Sequence, residues 1–135
     1  MKAIYYTDAS FQYHNGLSGY GAVILLEDGK AYQWSSFSHS DLAVHKAELA
    51  CVRAALSISI LNNITDVVVF NDNEYCRKAF ISIVQIRNKH FSGIFYPDNR
   101  TIHNFAHRLS RLYEETLSEY QNSDVSFNKL LFSNK

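Results

Sequence analysis

The sequence predicts an α/β fold, a mixed sheet flanked by helices, in the order β-β-β-α-β-α-α-β. Three observations predict it. Up to Phe37 the chain holds three apolar or alternating runs, separated by turn signals at Asn15-Gly16 and Asp28-Gly29. A helical pattern then leads into residues 65–71, a β-branched run suited to a buried parallel strand. Two more helical patterns and a closing strand finish the chain, with no repeat, low-complexity tract or linker. The expectation is one domain over residues 1–135, its sheet having five strands, three antiparallel and then two parallel.

The first strand is residues 2–10, where Ile4, Tyr6, Asp8 and Ser10 alternate onto one face and Ala3, Tyr5, Thr7 and Ala9 onto the other. Residues 19–26 and 31–37 are the next two strands, with Asp28-Gly29 as a two-residue hairpin signal. Ser40 is the expected N-cap, and Asp41 a favourable first-turn acid, for a helix running to about Leu61. Val44, Cys51, Val52, Ala55, Ile58 and Ser59 share its apolar stripe, with Lys46, Arg53 and Ser57 opposite. Asn62-Asn63 ends that helix; the strand at 65–71 follows, and Asp72 lies just past its end. A second helix is expected over 74–88, then a loop over 90–100 marked by Gly93 and Pro97. A third helix is expected over 101–120, with Phe105, Leu109, Leu112 and Leu117 in the core, and a last strand over 125–132.

Composition narrows the function classes. The 135 residues are 47% hydrophobic and 14% aromatic, with one Pro and five Gly, which describes a packed globule and not a disordered chain. Thirteen basic and thirteen acidic residues cancel, so any nucleic-acid site must be a local patch. Cys51 and Cys76 have no CxxC spacing and are expected as buried free thiols. The N-terminus runs straight into a strand, and no apolar run has membrane-spanning length. A soluble, cytoplasmic protein with no membrane contact is expected.

Three acids stand where a charge is costly: Asp8 within a strand, Glu48 at the centre of an apolar helical stripe, and Asp72 at the mouth of a parallel strand. Each has an ordinary explanation alone. Asp8 can accept backbone hydrogen bonds, Asp72 can cap the next helix, and Glu48 can snorkel or pair with an Arg. Together they share another. Crossover helices pack onto the sheet, and ligands collect beyond the carboxyl ends of parallel strands. If residues 65–71 lie beside the first strand, Asp8 and Asp72 become neighbours and the helix brings Glu48 to them. Carboxylates in contact need a counter-charge, which hard divalent cations such as Mg²⁺ supply. Two such ions about 4 Å apart clamp the attacking and leaving oxygens of a displacement at phosphorus.

Thr7-Asp8-Ala9-Ser10 resembles the acid-small-Ser opening of type 1 ribonuclease H, and Gly19-Tyr20-Gly21-Ala22-Val23 its Gly-rich second strand. Ala47-Glu48-Leu49 with Ala54-Ala55-Leu56 resembles its acidic first helix, and Asn71-Asp72-Asn73-Glu74-Tyr75 its acid-Ser-Gln-Tyr turn. The similarity covers nearly the whole chain. It implies a ribonuclease H-like fold and an endonuclease that hydrolyses the RNA strand of RNA–DNA hybrids with two Mg²⁺ ions, Mn²⁺ substituting. By position, Asp8, Glu48 and Asp72 would be the catalytic metal ligands, and Ser10, Asn15, His45 and Asn73 would contact substrate.

The resemblance also implies a fourth acid at the start of a helix after the last strand. With residues 125–132 as that strand, the chain would lack both helix and acid. The bared sheet face would then suit a second copy or a protein partner. The alternative function is accordingly a shortened module that binds nucleic acid or a partner with little turnover. Exonucleases of this fold want Asp-x-Glu on the first strand, where this chain has Ser10. Integrases place their Glu after the second Asp, whereas Glu48 precedes Asp72.

Arg77, Lys78, Arg87, Lys89 and His90, then Arg100, His103, His107, Arg108 and Arg111, make either a phosphate track or an ordinary solvated helix face. His14 and His45 are either a general acid near the site or, the weightier reading, surface histidines, and with no HExxH signature zinc is not expected. Trp34 and the many Tyr and Phe residues are expected to pack the core.

Overall fold

The computed structural model describes residues 2–58, 66–73, 76, 85–87 and 97–121. The elements are β1 (Lys2–Gln12), β2 (Leu17–Leu26), β3 (Ala31–Ser38), α1 (Val44–Leu56), β4 (Asp66–Phe70), β5 (Gln85–Arg87), α2 (Pro97–Leu109) and β6 (Thr116–Glu119). The strands form a mixed sheet in the order β5-β4-β1-β2-β3-β6. β1 pairs antiparallel with β2 from Ala3↔Leu26 to Gln12↔Leu17, and β2 pairs antiparallel with β3. β4 runs parallel to β1 from Lys2↔Asp66 to Tyr6↔Phe70, and β5 runs parallel to β4.

The alternation expected of β1 organises the core. Ala3, Tyr5 and Ala9, with Ala22, Ile24 and Leu26 of β2, bury against Ala47, Cys51, Val52 and Ala55 of α1. Ile4 and Tyr6, with Val23, Leu25 and Phe70, bury against Ile102, Ala106 and Leu109 of α2. The two helices therefore cover opposite faces of one sheet. Tyr6 and Phe70 stack across the parallel pair with ring centroids 4.9 Å apart. Cys51 and Cys76 are free and buried.

Several boundaries differ from expectation, each for a local reason. The β2–β3 connection is the three-residue loop Glu27-Asp28-Gly29, closed by Leu26 N–H on Lys30 O (2.9 Å) with Gly29 at φ 94°. α1 starts at Val44 with no side-chain cap. The Ser40 hydroxyl bonds the Ser38 hydroxyl (2.8 Å), and Asp41 accepts the Tyr20 hydroxyl, so both side chains are engaged elsewhere. Residues 85–87, expected as helix, are a strand because β4 offers a parallel edge.

α2 begins at Pro97, where the first turn tolerates a missing N–H, instead of at Thr101. It stops at Leu109; the chain then turns through Tyr113, a non-glycine residue at φ 54°, into β6 on the free edge of β3. Leu112 and Leu117, expected in the core, are 49% and 51% exposed as a result. The strand expected over 125–132 and most of the helix expected over 74–88 lie outside the described residues. Because α2 covers the second face of the sheet, the ground for expecting a second copy or partner there falls away. Among the described residues no helix is long and apolar enough to cross a membrane.

Candidate metal centre

The parallel pairing of β1 and β4 sets the site. Two residues beyond Tyr6↔Phe70, Asp8 and Asp72 arrive side by side. Asp8, Asp72 and His103 each offer a ligand atom within 4.8 Å of the other two. Glu48 enters from α1, buried at 4% exposure beside Asp8 at 5%. Its Oε1 accepts the Ala9 N–H (3.2 Å) and its Oε2 accepts from Asn71 Nδ2 (2.9 Å). The structure thus brings together the three acids expected to meet.

Electrostatics follow from that crowding. Burial raises the Asp8 carboxyl above its ordinary range, and the Asp72 charge adds to the rise. His103, a hydrogen bond from Glu48 and His107 offset part of it. Glu48 is raised well above the usual range, first by burial and then by Asp8, with Asn71 opposing. Asp72 ends below its ordinary value: partial burial pushes it up, but the neighbouring His103 outweighs that. Asp72 is also the open member, its side chain 44% exposed.

Two histidines on α2, missed in the sequence, complete the picture. His107 Nδ1 and Asp8 Oδ2 share a hydrogen bond of 2.6 Å, and His103 Nε2 lies 3.7 Å from Asp72 Oδ2. Four residues of helix rise about 6 Å, close to the roughly 4.8 Å between neighbouring strands, so an i, i+4 pair can meet two adjacent strand acids. That spacing in His103-Asn104-Phe105-Ala106-His107 was the available signal. His103 is 7% exposed and so belongs to the acids, not to a solvated phosphate track.

α2 follows β5, the outer parallel strand. Among the described residues of α2, His103 is the one grouped with Asp8 and Asp72.

Asn71 was also missed. Its Nδ2 donates to Thr7 Oγ1 (3.0 Å) as well as to Glu48, while its Oδ1 accepts the Asn73 N–H (2.8 Å). It clamps the end of β4 to β1 and aims Glu48. Asn71→Ala is therefore expected to lower divalent-ion affinity about 10–100-fold and to destabilise the fold by about 1–3 kcal/mol. Titration calorimetry and denaturation in EDTA read the two effects; affinity within twofold of wild type would mean that Glu48 is held by other contacts.

The expected substrate contacts scatter. Ser10 Oγ donates to Ser110 O (2.8 Å) and bonds the Tyr113 hydroxyl (3.1 Å), tying β1 to the end of α2. Asn15 closes the β1–β2 loop, accepting the Leu17 N–H (3.0 Å) and donating to Gln12 Oε1 (2.8 Å). Asn73 Oδ1 accepts the Cys76 N–H (3.3 Å) in the manner of an N-cap. His45 is exposed in the first turn of α1.

Buried acids that raise one another's pKa, with an imidazole nitrogen among them, form a donor set that fits a divalent cation. Among known proteins, the family model for RNase H matches residues 1–130. No curated protein matches. Among solved structures the chain is similar to LC11-RNase H1, isolated from compost by a metagenomic approach. The two are 21% identical, with 82% of this chain and 78% of that one covered and a TM-score of 0.47. Since the family model runs over nearly its entire length, the chain belongs to the RNase H family and is a ribonuclease H-type enzyme.

Proposed function

We propose that the enzyme hydrolyses the RNA strand of RNA–DNA hybrids, with divalent ions held by Asp8, Glu48 and Asp72. One observation carries this reading: three carboxylates from β1, α1 and β4 meet where burial and mutual repulsion disfavour ionising Asp8 and Glu48. Such a set is stable as anions only beside cations. Divalent ions, two Mg²⁺ with Mn²⁺ as a substitute, supply Lewis acidity and charge neutralisation at the phosphodiester when bound.

The chain's own contribution is positional. Ala9 N–H and Asn71 hold the two oxygens of Glu48, and β1 fixes Asp8 beneath α2. Asp72, half-open, is the acid a substrate phosphate reaches first. An open cleft of about 560 Å³ adjoins Asp8 and is lined by Gln12, His14, His107, Arg111 and Tyr113 among others. Arg111 supplies a cation and His14 a ring nitrogen for a nucleic-acid backbone, and Tyr113 supplies a ring face. The proposed polar contacts to the hybrid are Ser10, Asn15, His45 and Asn73.

The test is cleavage of end-labelled RNA in a hybrid, beside duplex DNA and duplex RNA, with Mg²⁺ or Mn²⁺ and with EDTA. Ion-dependent cuts confined to the RNA strand of the hybrid are expected. Equal cleavage of duplex DNA, or none of the hybrid with either ion in excess, overturns the proposal.

A further inference from the structure

Resting on the reading that this centre holds divalent ions, we propose that His103 is itself a metal ligand and that its nitrogen shifts the preference from Mg²⁺ toward Mn²⁺. His103 Nε2 and Asp72 Oδ2 stand 3.7 Å apart, and Asp8 completes a triplet of donors within 4.8 Å. Two ligands on one small divalent ion lie roughly 3–4 Å from each other at bond lengths near 2.1 Å, so little movement separates this set from a chelate. The imidazole is held for the task. His103 is 7% exposed, and Ile102 and Ala106 beside it on α2 are fully buried against β1, β2 and β4.

The consequence is chemical. Mg²⁺ takes oxygen ligands and dehydrates reluctantly, whereas first-row transition ions accept imidazole readily. A site of carboxylates alone has no reason to separate Mg²⁺ from Mn²⁺ strongly. Exchanging one oxygen donor for a nitrogen gives it one. His107 plays a different part, since its Nδ1 already shares a hydrogen bond with Asp8 Oδ2 (2.6 Å).

The measurement is Mn²⁺ and Mg²⁺ titration of the full chain by calorimetry, with electron spin-echo spectroscopy of bound Mn²⁺ as a direct readout of nitrogen ligation. Wild type is expected to bind Mn²⁺ at least ~100-fold more tightly than Mg²⁺ and to show ¹⁴N modulation. In His103→Asp the ratio is expected to fall at least ~10-fold and the modulation to vanish. His107→Gln should keep the modulation; should His103→Asp fail to fold, that variant and wild type decide the matter.

No ¹⁴N signal in wild type, loss of the signal in His107→Gln, or unchanged selectivity in folded His103→Asp overturns the proposal. So does the absence of Mn²⁺ binding. Hybrid cleavage without nitrogen ligation would sink this inference alone, and nitrogen ligation without cleavage would sink only the nuclease reading.

Discussion

Asp8→Asn is expected to remove hydrolysis of the hybrid's RNA strand by at least about 10³-fold, more than the loss of one transition-state hydrogen bond. The same variant, in EDTA, is expected to be as stable as wild type or up to about 2 kcal/mol more stable. Both effects come from one carboxylate. Asp8 is buried and faces Asp72 and Glu48, so its anion is disfavoured in the metal-free fold. An amide of the same shape carries no charge and relieves Glu48, which Asp8 is the second-largest cause of raising. Against this stands the weakened bond to His107 Nδ1.

The pH dependence has a definite sign. Folding raises the Asp8 pKa, so the folded chain holds that proton more tightly than the unfolded one. The resulting stability is complete below the ordinary carboxylate range and is lost as pH rises through the raised folded value. Glu48, shifted further in the same direction, extends the loss to higher pH. Metal-free wild type should therefore weaken from the carboxylate range upward, divalent ions should restore it, and Asp8→Asn should show a flatter profile with little response to ions. Urea denaturation across pH, with EDTA or Mn²⁺, measures all three. Cleavage within tenfold of wild type, or marked destabilisation in EDTA, would remove Asp8 from the centre.

The acids were legible because each breaks a local rule. An Asp on the buried alternation of β1 and a Glu amid Ala47, Cys51, Val52 and Ala55 are conspicuous against apolar neighbours. Histidine breaks no such rule, and a composition that reads as unbroken helix from Thr101 to Tyr120 hid its placement. The break after Leu109 depends on Tyr113 taking a positive φ and on β3 offering an edge to β6, which are tertiary facts. β5 was lost for the same reason: three residues become strand only because β4 is already there. Misplacing those two strands hid the end of α2 at Leu109 and, with it, the donor facing Asp8 and Asp72.

What lets α2 reach the acids is a patch of β2 with no side chains, and this makes Gly21→Ala the second large effect. A Cβ at Gly21 would sit 2.1 Å from Ala106 O, 2.6 Å from Ser110 N and 2.9 Å from Leu109 Cβ. The first two are backbone atoms that share a helical hydrogen bond of 3.0 Å, so no rotamer change can yield and α2 itself must lift. Relieving that overlap costs about 2–4 kcal/mol, less up to about 1 kcal/mol recovered from the stiffer unfolded chain.

The lift carries His103 and His107 with it. A shift of about 1 Å at a reacting centre is worth about 10²-fold in rate, so cleavage should fall by that order at temperatures where the variant remains folded. Gly29→Ala is the matched control: it strains a turn at φ 94° where nothing lies within 4 Å of the new methyl, far from α2. It should lose about 1 kcal/mol of stability and keep its activity. Measured at equal folded fraction, equal activity in the two variants would mean that the closeness of α2 to β2 serves only packing. A selective loss in Gly21→Ala would tie the chemistry to the absence of one methyl group under the helix.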